Sequence, residues 1–522
     1  MRVAIALLAS LALAAAAPPE EVPVRLDVAS PAPLSGRLIL FAEPAEAGAP
    51  DPESVDANPF AGTPTAVAAR DIASLASGQV ATVDADTDAV PDAWSKLPPG
   101  RYHVQAVLDV NRDYNYAGRG AGDVVSKVVD VTLPGPAPVI SLSTIVPAAD
   151  PYAADNPRQQ ALAAYLPKVR PINFVSAKLS AFWGRPIVMD GWVALPPGYD
   201  PASARTWPTV YQTHGFGGDI HSARWSAASY LKLMTEGRIP PMIWVALDES
   251  SATGTHEFAD SANNGPWGAA LTTELIPYLE HQYRMDARPS GRFLTGHSSG
   301  GWATLWLQTR YPRIFGGTWS TSPDSSDFHD FTGADLYRPG ANVYVDAAGK
   351  PIPLVRMNGR DVANFEDFAK LEAVLGAYGG QMASFDWVFS PKGPDGRPVP
   401  MFDRRTGAVD PAVALHWRNH YDIAYRLQDE WPAIRKDLDG KIHVIVGTQD
   451  TFHLDGAAHR LQAVLKRLGA KDDVRFLPGK THFDLYEASG DPNALTVEIA
   501  KEMYAVARPG NSFASSAPAS AH

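Results

Sequence analysis

The sequence predicts two folded parts: an all-β, sandwich-like region in front, and an α/β region with a mostly parallel central sheet behind it. Three observations predict this. Short runs of alternating apolar residues, separated by stretches rich in Pro, Gly and Ala, fill residues 22–146. From about Val175 extended runs alternate with helical stretches, a pattern that calls for parallel strands covered on both faces. With 522 residues, the chain is also too long for a single core.

Met1-Arg2 and the apolar stretch Val3 to Ala17 have the form of a secretory signal, too short to span a membrane, so residues 1–17 are expected to be removed on export to the periplasm or the medium. In 22–146 the alternation is carried by Val24, Leu26 and Val28, then Leu38 and Leu40, then Tyr102, Val104, Ala106 and Leu108, and less regularly by Val125, Val129, Val131 and Leu133. Residues 147–172 have little periodicity and several prolines, and read as a linker. The α/β region is expected over 173–508. It opens with Ser176–Trp183 and Pro186–Leu195 as a hairpin, followed by strands at Thr209–Thr213, Ile243–Leu247, Arg292–Thr295, Ile442–Val446 and Val474–Leu477. Helices are expected at Gly268–Tyr283 and Gly301–Tyr311. Residues 509–522 read as a disordered tail.

Composition excludes several functions. A formal charge of −12 and the lack of any basic run leave no nucleic-acid footprint. There is no cysteine, hence no disulfide, thiolate metal site or lipidated thiol. No later segment is apolar enough to be a membrane span.

Gly296-His297-Ser298-Ser299-Gly300 stands between an expected strand and an expected helix. A sharp strand-to-helix turn lifts one side chain above the sheet edge, and small residues two before and two after it avoid a clash. That frame selects Ser298 as the nucleophile, because His297 would occupy the small position required for Ser299. Upstream, Thr209–Thr213 runs into His214-Gly-Phe-Gly-Gly, where glycines let backbone N–H groups approach a developing oxyanion. The donors assigned are the N–H groups of Phe216 and Ser299, with Gly217 as the alternative. Asp450 ends the run Lys441–Asp450, and His482 follows the next expected strand, 32 residues on (482 − 450). The order Ser, Asp, His suits a triad in which His482 takes the Ser298 proton and Asp450 fixes its tautomer. Asp455 and Asp484 compete for the acid role; Asp450 is preferred because it lies just past a strand's C-terminal end.

Taken together these pieces resemble the "Putative esterase" family, whose relatives include esterase D, feruloyl esterases and enterochelin esterases. The matching pieces are His214-Gly-Phe-Gly-Gly, Gly265-Pro-Trp-Gly with Thr273–Glu280, Gly296–Gly301, and Tyr311-Pro-Arg-Ile-Phe-Gly-Gly, within about Val175 to Glu487. The resemblance implies an α/β-hydrolase fold and a serine carboxylesterase without metal or organic cofactor. It carries the nucleophile to Ser298, the acid to Asp450 and the base to His482. A β-rich domain ahead of the hydrolase is similar to the architecture of enterochelin esterases, an analogy that leaves the substrate open.

From Ser298 to Asp450 is 152 residues (450 − 298), where two strand–helix units of about 30 residues each would need roughly 60. The surplus marks an insertion at about 323–441, read as a cap over the site that shapes an acyl or alcohol pocket. The loop after Leu247 carries Asp248, Glu249, His256, Glu257, Asp260, Asn263, Asn264 and Trp267, of which Trp267 is the pocket candidate, beside His297 and Gly217. His416 and His420 share a helix face at a spacing zinc can use, but lack the adjacent glutamate and a third ligand, so a structural face is expected. Asp109–Asn115 begins like a calcium loop, yet Tyr114 and Gly120 occupy the usual glycine and glutamate places, and a polar turn is expected. His214 and His453 are read as structural.

The expected activity is enterochelin-esterase-like hydrolysis of a small-molecule or glycan-linked ester through an acyl-enzyme; the alternative is a feruloyl or acetyl-xylan-type polysaccharide esterase, or an acyltransferase, on the same triad. A glycan- or polymer-binding protein with an inert hydrolase fold is the reading from outside enzymology. Oligomeric state is not written in the sequence.

Overall fold

The protein is described here by a computed structural model covering residues 21–46, 50–58, 65–113, 118–133, 135, 138–376, 380–471, 473–511 and 513. The segment read as a signal, most of the tail and part of the calcium-like loop lie outside these residues. The chain divides into two compact units: residues up to Ala148 with Val374–Gly376, and the remainder from Ala149 on.

In the first unit nine strands form one sheet, antiparallel except where Glu21–Leu26 pairs with Ile140–Ile145. Period-two patterning explains the inward faces. Val22, Val24 and Leu26 are buried while Glu21 and Arg25 are exposed. Leu38, Leu40, Val104, Ala106 and Leu108 meet Trp94 in one core.

The second unit is built on eight strands: β1 (Arg170–Ser176), β2 (Ile187–Ala194), β3 (Thr209–Thr213), β4 (Ile243–Leu247), β5 (Arg292–His297), β6 (Gly317–Thr321), β7 (Ile442–Gly447) and β8 (Asp473–Leu477). Their order is β1-β2-β4-β3-β5-β6-β7-β8. β2 runs antiparallel to both neighbours and every other pair is parallel. Both faces are covered, as a parallel sheet requires. Val210, Trp244 and Phe293 pack on one face against α1 (Ile220–Thr235) and the C-terminal helix Ala494–Ala507, while Tyr211, Val245 and Leu294 pack on the other with Leu271, Leu275 and Leu307.

Three elements differ from expectation. Ala177–Trp183 is a helix, and the hairpin is made by β1 and β2. Ser176 caps that helix, its Oγ accepting from Leu179 N at 3.2 Å, and an N-cap overrides the extended propensity of Phe182 and Trp183. β6 was not expected, since Gly-Thr-Trp-Ser-Thr contains a single large apolar residue. It is nevertheless wholly buried, because its hydroxyls find partners: Ser320 Oγ meets Thr318 Oγ1 at 2.9 Å and Thr304 Oγ1 at 3.0 Å. The stretch read as a linker carries a helix at Pro157–Ala163. No helix among the described residues is long and apolar enough to cross a membrane.

Candidate active site

β5 ends at His297 and α2 (Ser299–Arg310) begins two residues later, so Ser298 alone makes the turn. Its backbone sits at φ 60°, ψ −124°, a strained conformation for a non-glycine residue. Hydrogen bonds hold it there, from Ser298 N to Thr321 O at 3.1 Å and to Ser298 O from Trp302 N at 3.0 Å. The glycine frame has a steric cause. A Cβ on Gly296 would overlap the Gly300 carbonyl, and one on Gly300 would overlap the His214 carbonyl.

His482 lies in the loop after β8 and Asp450 three residues past β7. Tertiary structure brings them together: His482 Nδ1 is 3.0 Å from Asp450 Oδ2, and both are buried. Asp450 Oδ1 accepts from Phe452 N at 3.0 Å. Burial pushes the Asp450 carboxyl up, but the charge and hydrogen bond of His482 more than offset it and leave it below the usual carboxylate range. The competing acids are engaged elsewhere, Asp455 with Arg356 at 3.3 Å and Asp484 with the Thr481 hydroxyl at 2.7 Å.

His297 leaves the turn away from Ser298, its Nδ1 3.1 Å from Thr321 Oγ1 and its ring 4.3 Å from that of His482. Burial first, and the neighbouring His482 second, push it down to about 3, too weak a base to compete. It faces a cavity of about 170 Å³ below the sheet edge, shared with Thr213 and Tyr230. Ser299 is buried, and its Oγ donates to Asp324 Oδ2 at 2.6 Å. Gly217 has φ 79° and lies in the turn before α1. Trp267 does not wall the cavity at Ser298. It stacks on His256 with ring centroids 3.6 Å apart, and its Nε1 donates to Asn264 O at 2.9 Å.

Asp324, which sequence reasoning passed over, is an acid in contact with the serine turn. Asp324 N donates to Ser298 O at 3.2 Å, and both residues line one small cavity. Burial raises Asp324 to about 6 against the Ser299 hydrogen bond. Its signal was its position, three residues past a strand that was itself not recognised. The cavity measures about 30 Å³, room for a water molecule or so. Phe331, Phe385, Phe452 and Leu354 form its apolar walls, and Gln381 reaches its polar end. Gln381 and Phe385 belong to α3 (Gln381–Phe389) in the 323–441 insertion. That helix is laced to the loop after β4: Ser384 Oγ accepts from Thr255 N at 2.9 Å, and Ser390 O from Asn263 Nδ2 at 2.7 Å.

The same loop buries Glu249, His256 and Glu257 completely. Neither glutamate makes an ion pair among the described residues; the hydroxyls of Thr213 and Thr255 are the polar groups beside Glu249 and Glu257. Burial, foremost, raises Glu249 to about 8 and holds Glu257 well above the usual range, while it pushes His256 down to about 3.

Two triplets could reach a metal ion, Asp109 with Asp113 and Asp123, and Asp51 with His103 and Asp130, both in the first unit. The first staples its own turn: Asp109 Oδ1 accepts from Arg112 N at 2.7 Å, and Asp123 from Gly120 N at 2.8 Å. His416 and His420 lie with ring centroids 4.3 Å apart at a tilt of 40°, and no third ligand joins them among the described residues.

A parallel sheet of this order, with a strained serine turn after β5 and a buried Asp–His pair past β7 and β8, defines an α/β-hydrolase. The "Putative esterase" family model matches residues 187–489, more than half of the chain, and the chain belongs to that family, a class of carboxylic ester hydrolases. Esterase Rv1288 of Mycobacterium tuberculosis strain H37Rv is 32% identical over 148 residues, covering 27% of this chain and 31% of that relative. Esterase MT1326 of strain CDC 1551 matches to the same extent, so the match spans under a third of either relative's length. Among solved structures, the fluorophosphonate-binding serine hydrolase F of Staphylococcus aureus superposes with a TM-score of 0.38 at 12% identity, over 65% of this chain and 98% of that one. The S-formylglutathione hydrolase of Agrobacterium tumefaciens gives 0.36 at 14% identity, over 64% and 94%. A ferulic acid esterase of Anaeromyces mucronatus gives 0.33 at 16% identity, over 64% and 88%.

Proposed function

We propose that the chain is an exported serine carboxylesterase. The observation that carries this is the buried His482–Asp450 hydrogen bond, in the same unit as a serine held in the strained turn. Ser298 Oγ attacks the ester carbonyl and passes its proton to His482 Nε2, while Asp450 holds the other ring nitrogen and stabilises the imidazolium. The carbonyl oxygen, now an oxyanion, takes hydrogen bonds from the Ser299 and Phe216 N–H groups. Collapse breaks the ester C–O bond, and the leaving alkoxide takes the proton from His482. Water then repeats the sequence on the acyl-enzyme and releases the acid and free Ser298.

The apolar walls of the Ser298 cavity, Phe331, Phe385 and Phe452 among them, suit an acyl part that is flat and apolar once the insertion opens. That favours an aromatic acyl ester, of the feruloyl or enterochelin-like kind, over an acetyl ester. A cavity of about 30 Å³ cannot hold such a group, so the insertion acts as a mobile cap that opens for it. The first unit, a single sheet of nine strands, serves as an all-β accessory domain, and the export reading rests on Val3 to Ala17.

The deciding experiment is a panel of aryl-acyl, acetyl and siderophore-type esters, with and without Ser298→Ala, alongside mass analysis of the N-terminus of the secreted protein. Aryl-acyl esters are expected to be cleaved fastest, and only by the wild type. Equal activity of wild type and variant on every ester would remove the serine esterase reading and favour a binding role.

A further inference from the structure

His214 stands at the head of the glycine loop between β3 and α1, and only 8% of it is exposed. Its Nδ1 lies 2.8 Å from the Gly215 carbonyl oxygen, and its Nε2 2.8 Å from Asp248 Oδ1. A carbonyl only accepts, so Nδ1 carries a proton and donates to it; an ionised Asp248 draws a second proton to Nε2, and with both in place the ring is an imidazolium. The Glu249 N–H also donates toward Nε2, at 3.2 Å, and competes with the shorter Asp248 contact for that nitrogen. The ionisable groups facing the ring are Asp248 and Glu249 after β4, Asp190 on β2, and His256 further along the loop. Burial opposes the charge, yet the hydrogen bond to Asp248, foremost, outweighs it and holds His214 above the ordinary imidazole value. Asp248 is likewise kept below the usual carboxylate range, the His214 bond overcoming its burial.

The bond to Gly215 matters because of peptide geometry. The Gly215 carbonyl and the Phe216 N–H belong to one planar trans unit and point in opposite directions. Fixing the oxygen therefore aims the N–H. Gly215 O also accepts from Gly218 N at 3.1 Å, which closes the loop around the same atom. The loop is pressed onto the nucleophile: a Cβ on Gly215 would stand 3.0 Å from Ser298 Cβ and 2.9 Å from His297 O. A Cβ on Gly218 would overlap the His214 ring. Those two clashes explain why the loop needs both glycines.

We propose that His214, held as an imidazolium by Asp248, is a positioning residue that aims and polarises the Phe216 N–H toward the oxyanion of the acyl-transfer step. It makes and breaks no bond and keeps both protons throughout. This inference rests on the esterase reading for its kinetic consequences, but not for the protonation state.

The test has two arms. In the wild type, ¹⁵N NMR of the His214 ring at neutral pH is expected to show both nitrogens protonated; one protonated nitrogen would overturn the proposal whether or not any ester is cleaved. The kinetic arm uses the aryl ester cleaved best. His214→Ala is expected to lower kcat about 100-fold, the size of losing one oxyanion donor, with KM changed less than about threefold. His214→Asn, which can place an amide N–H where Nδ1 stands, is expected to recover most of that loss. Asp248→Asn is expected to move the alkaline limb of kcat about one pH unit lower, because the imidazolium loses its counter-charge. An alanine variant that folds, judged by circular dichroism, with kcat within threefold of wild type would overturn the proposal. So would an alkaline limb unmoved in Asp248→Asn, which stands even if the alanine variant fails to fold.

Discussion

Two regions beside Ser298 bury ionisable groups to the same depth and reach opposite outcomes. Past β7 and β8, Asp450 and His482 are buried as a pair, and the acid stays ionised below its usual range. In the loop after β4, Glu249 and Glu257 are buried without an ion-pair partner among the described residues, and burial drives them up, Glu249 to about 8. The difference teaches that depth sets the cost of a charge, whereas a directed partner decides whether the charge survives. A paired acid can orient a base at neutral pH; an unpaired one stores a proton.

Breaking the pair gives the largest expected effects. Ser298→Ala is expected to lower kcat by 10⁴-fold or more, and Asp450→Asn by about 10⁴-fold, since the amide stabilises the wrong His482 tautomer. A loss under tenfold in Asp450→Asn, measured by steady-state hydrolysis, would exclude Asp450 as the orienting acid. The pH dependence of stability runs in opposite directions in the two regions. Asp450 has a folded value below its unfolded 3.8, so its contribution is present above pH 3.8 and fades as the pH falls through the folded value. Thermal midpoints of Asp450→Asn and wild type should therefore differ at neutral pH and converge in acid. Glu249 has a folded value of about 8 against 4.5 unfolded, so stability drains away as the pH rises from 4.5 to 8, by a few kcal/mol in all. Glu249→Gln should flatten that slope and raise the melting temperature at pH 8–9 by about 5 °C or more. A slope equal to the wild type's would show that Glu249 ionises freely in the fold.

The smallest kinetic effect is expected from Trp267→Ala. Removing its stack on His256 should cost about 3 kcal/mol of stability while leaving kcat and KM within about twofold. A large rise in KM would return Trp267 to the substrate pocket.

The N-terminal half of the site was far more legible than the rest. β3, the glycine loop, β5, the serine turn and α2 follow one another with short-range signals, an apolar run, then small residues, then a helix. Each small residue answers a clash within a few residues or against the adjacent strand, as the overlaps at Gly296 and Gly300 make plain. β6 was illegible because its five buried residues include three hydroxyls whose partners come from β5, α2 and one another. Periodicity reads hydrophobicity, and a strand whose burial is bought by hydrogen bonds gives no such signal. With β6 unseen, Asp324 past its end was unseen too. The helix at Ala177–Trp183 hid for a different reason, since its N-cap Ser176 also binds Glu274, nearly a hundred residues on.

By itself, the sequence determined the class of sheet, the residue that turns between β5 and α2, and the set of acids and histidines from which a triad could be drawn. Those are consequences of local sterics and of patterning, and neither needs a distant partner. Only the tertiary structure decided that Asp450 meets His482 while Asp455 and Asp484 do not, that Trp267 stacks on His256 instead of walling the cavity, and that Gln381 and Phe385 reach Ser298 from an insertion. These outcomes depend on which strands lie side by side and on where an inserted helix packs. Such distances are set by the whole sheet, and no stretch of chain carries them alone.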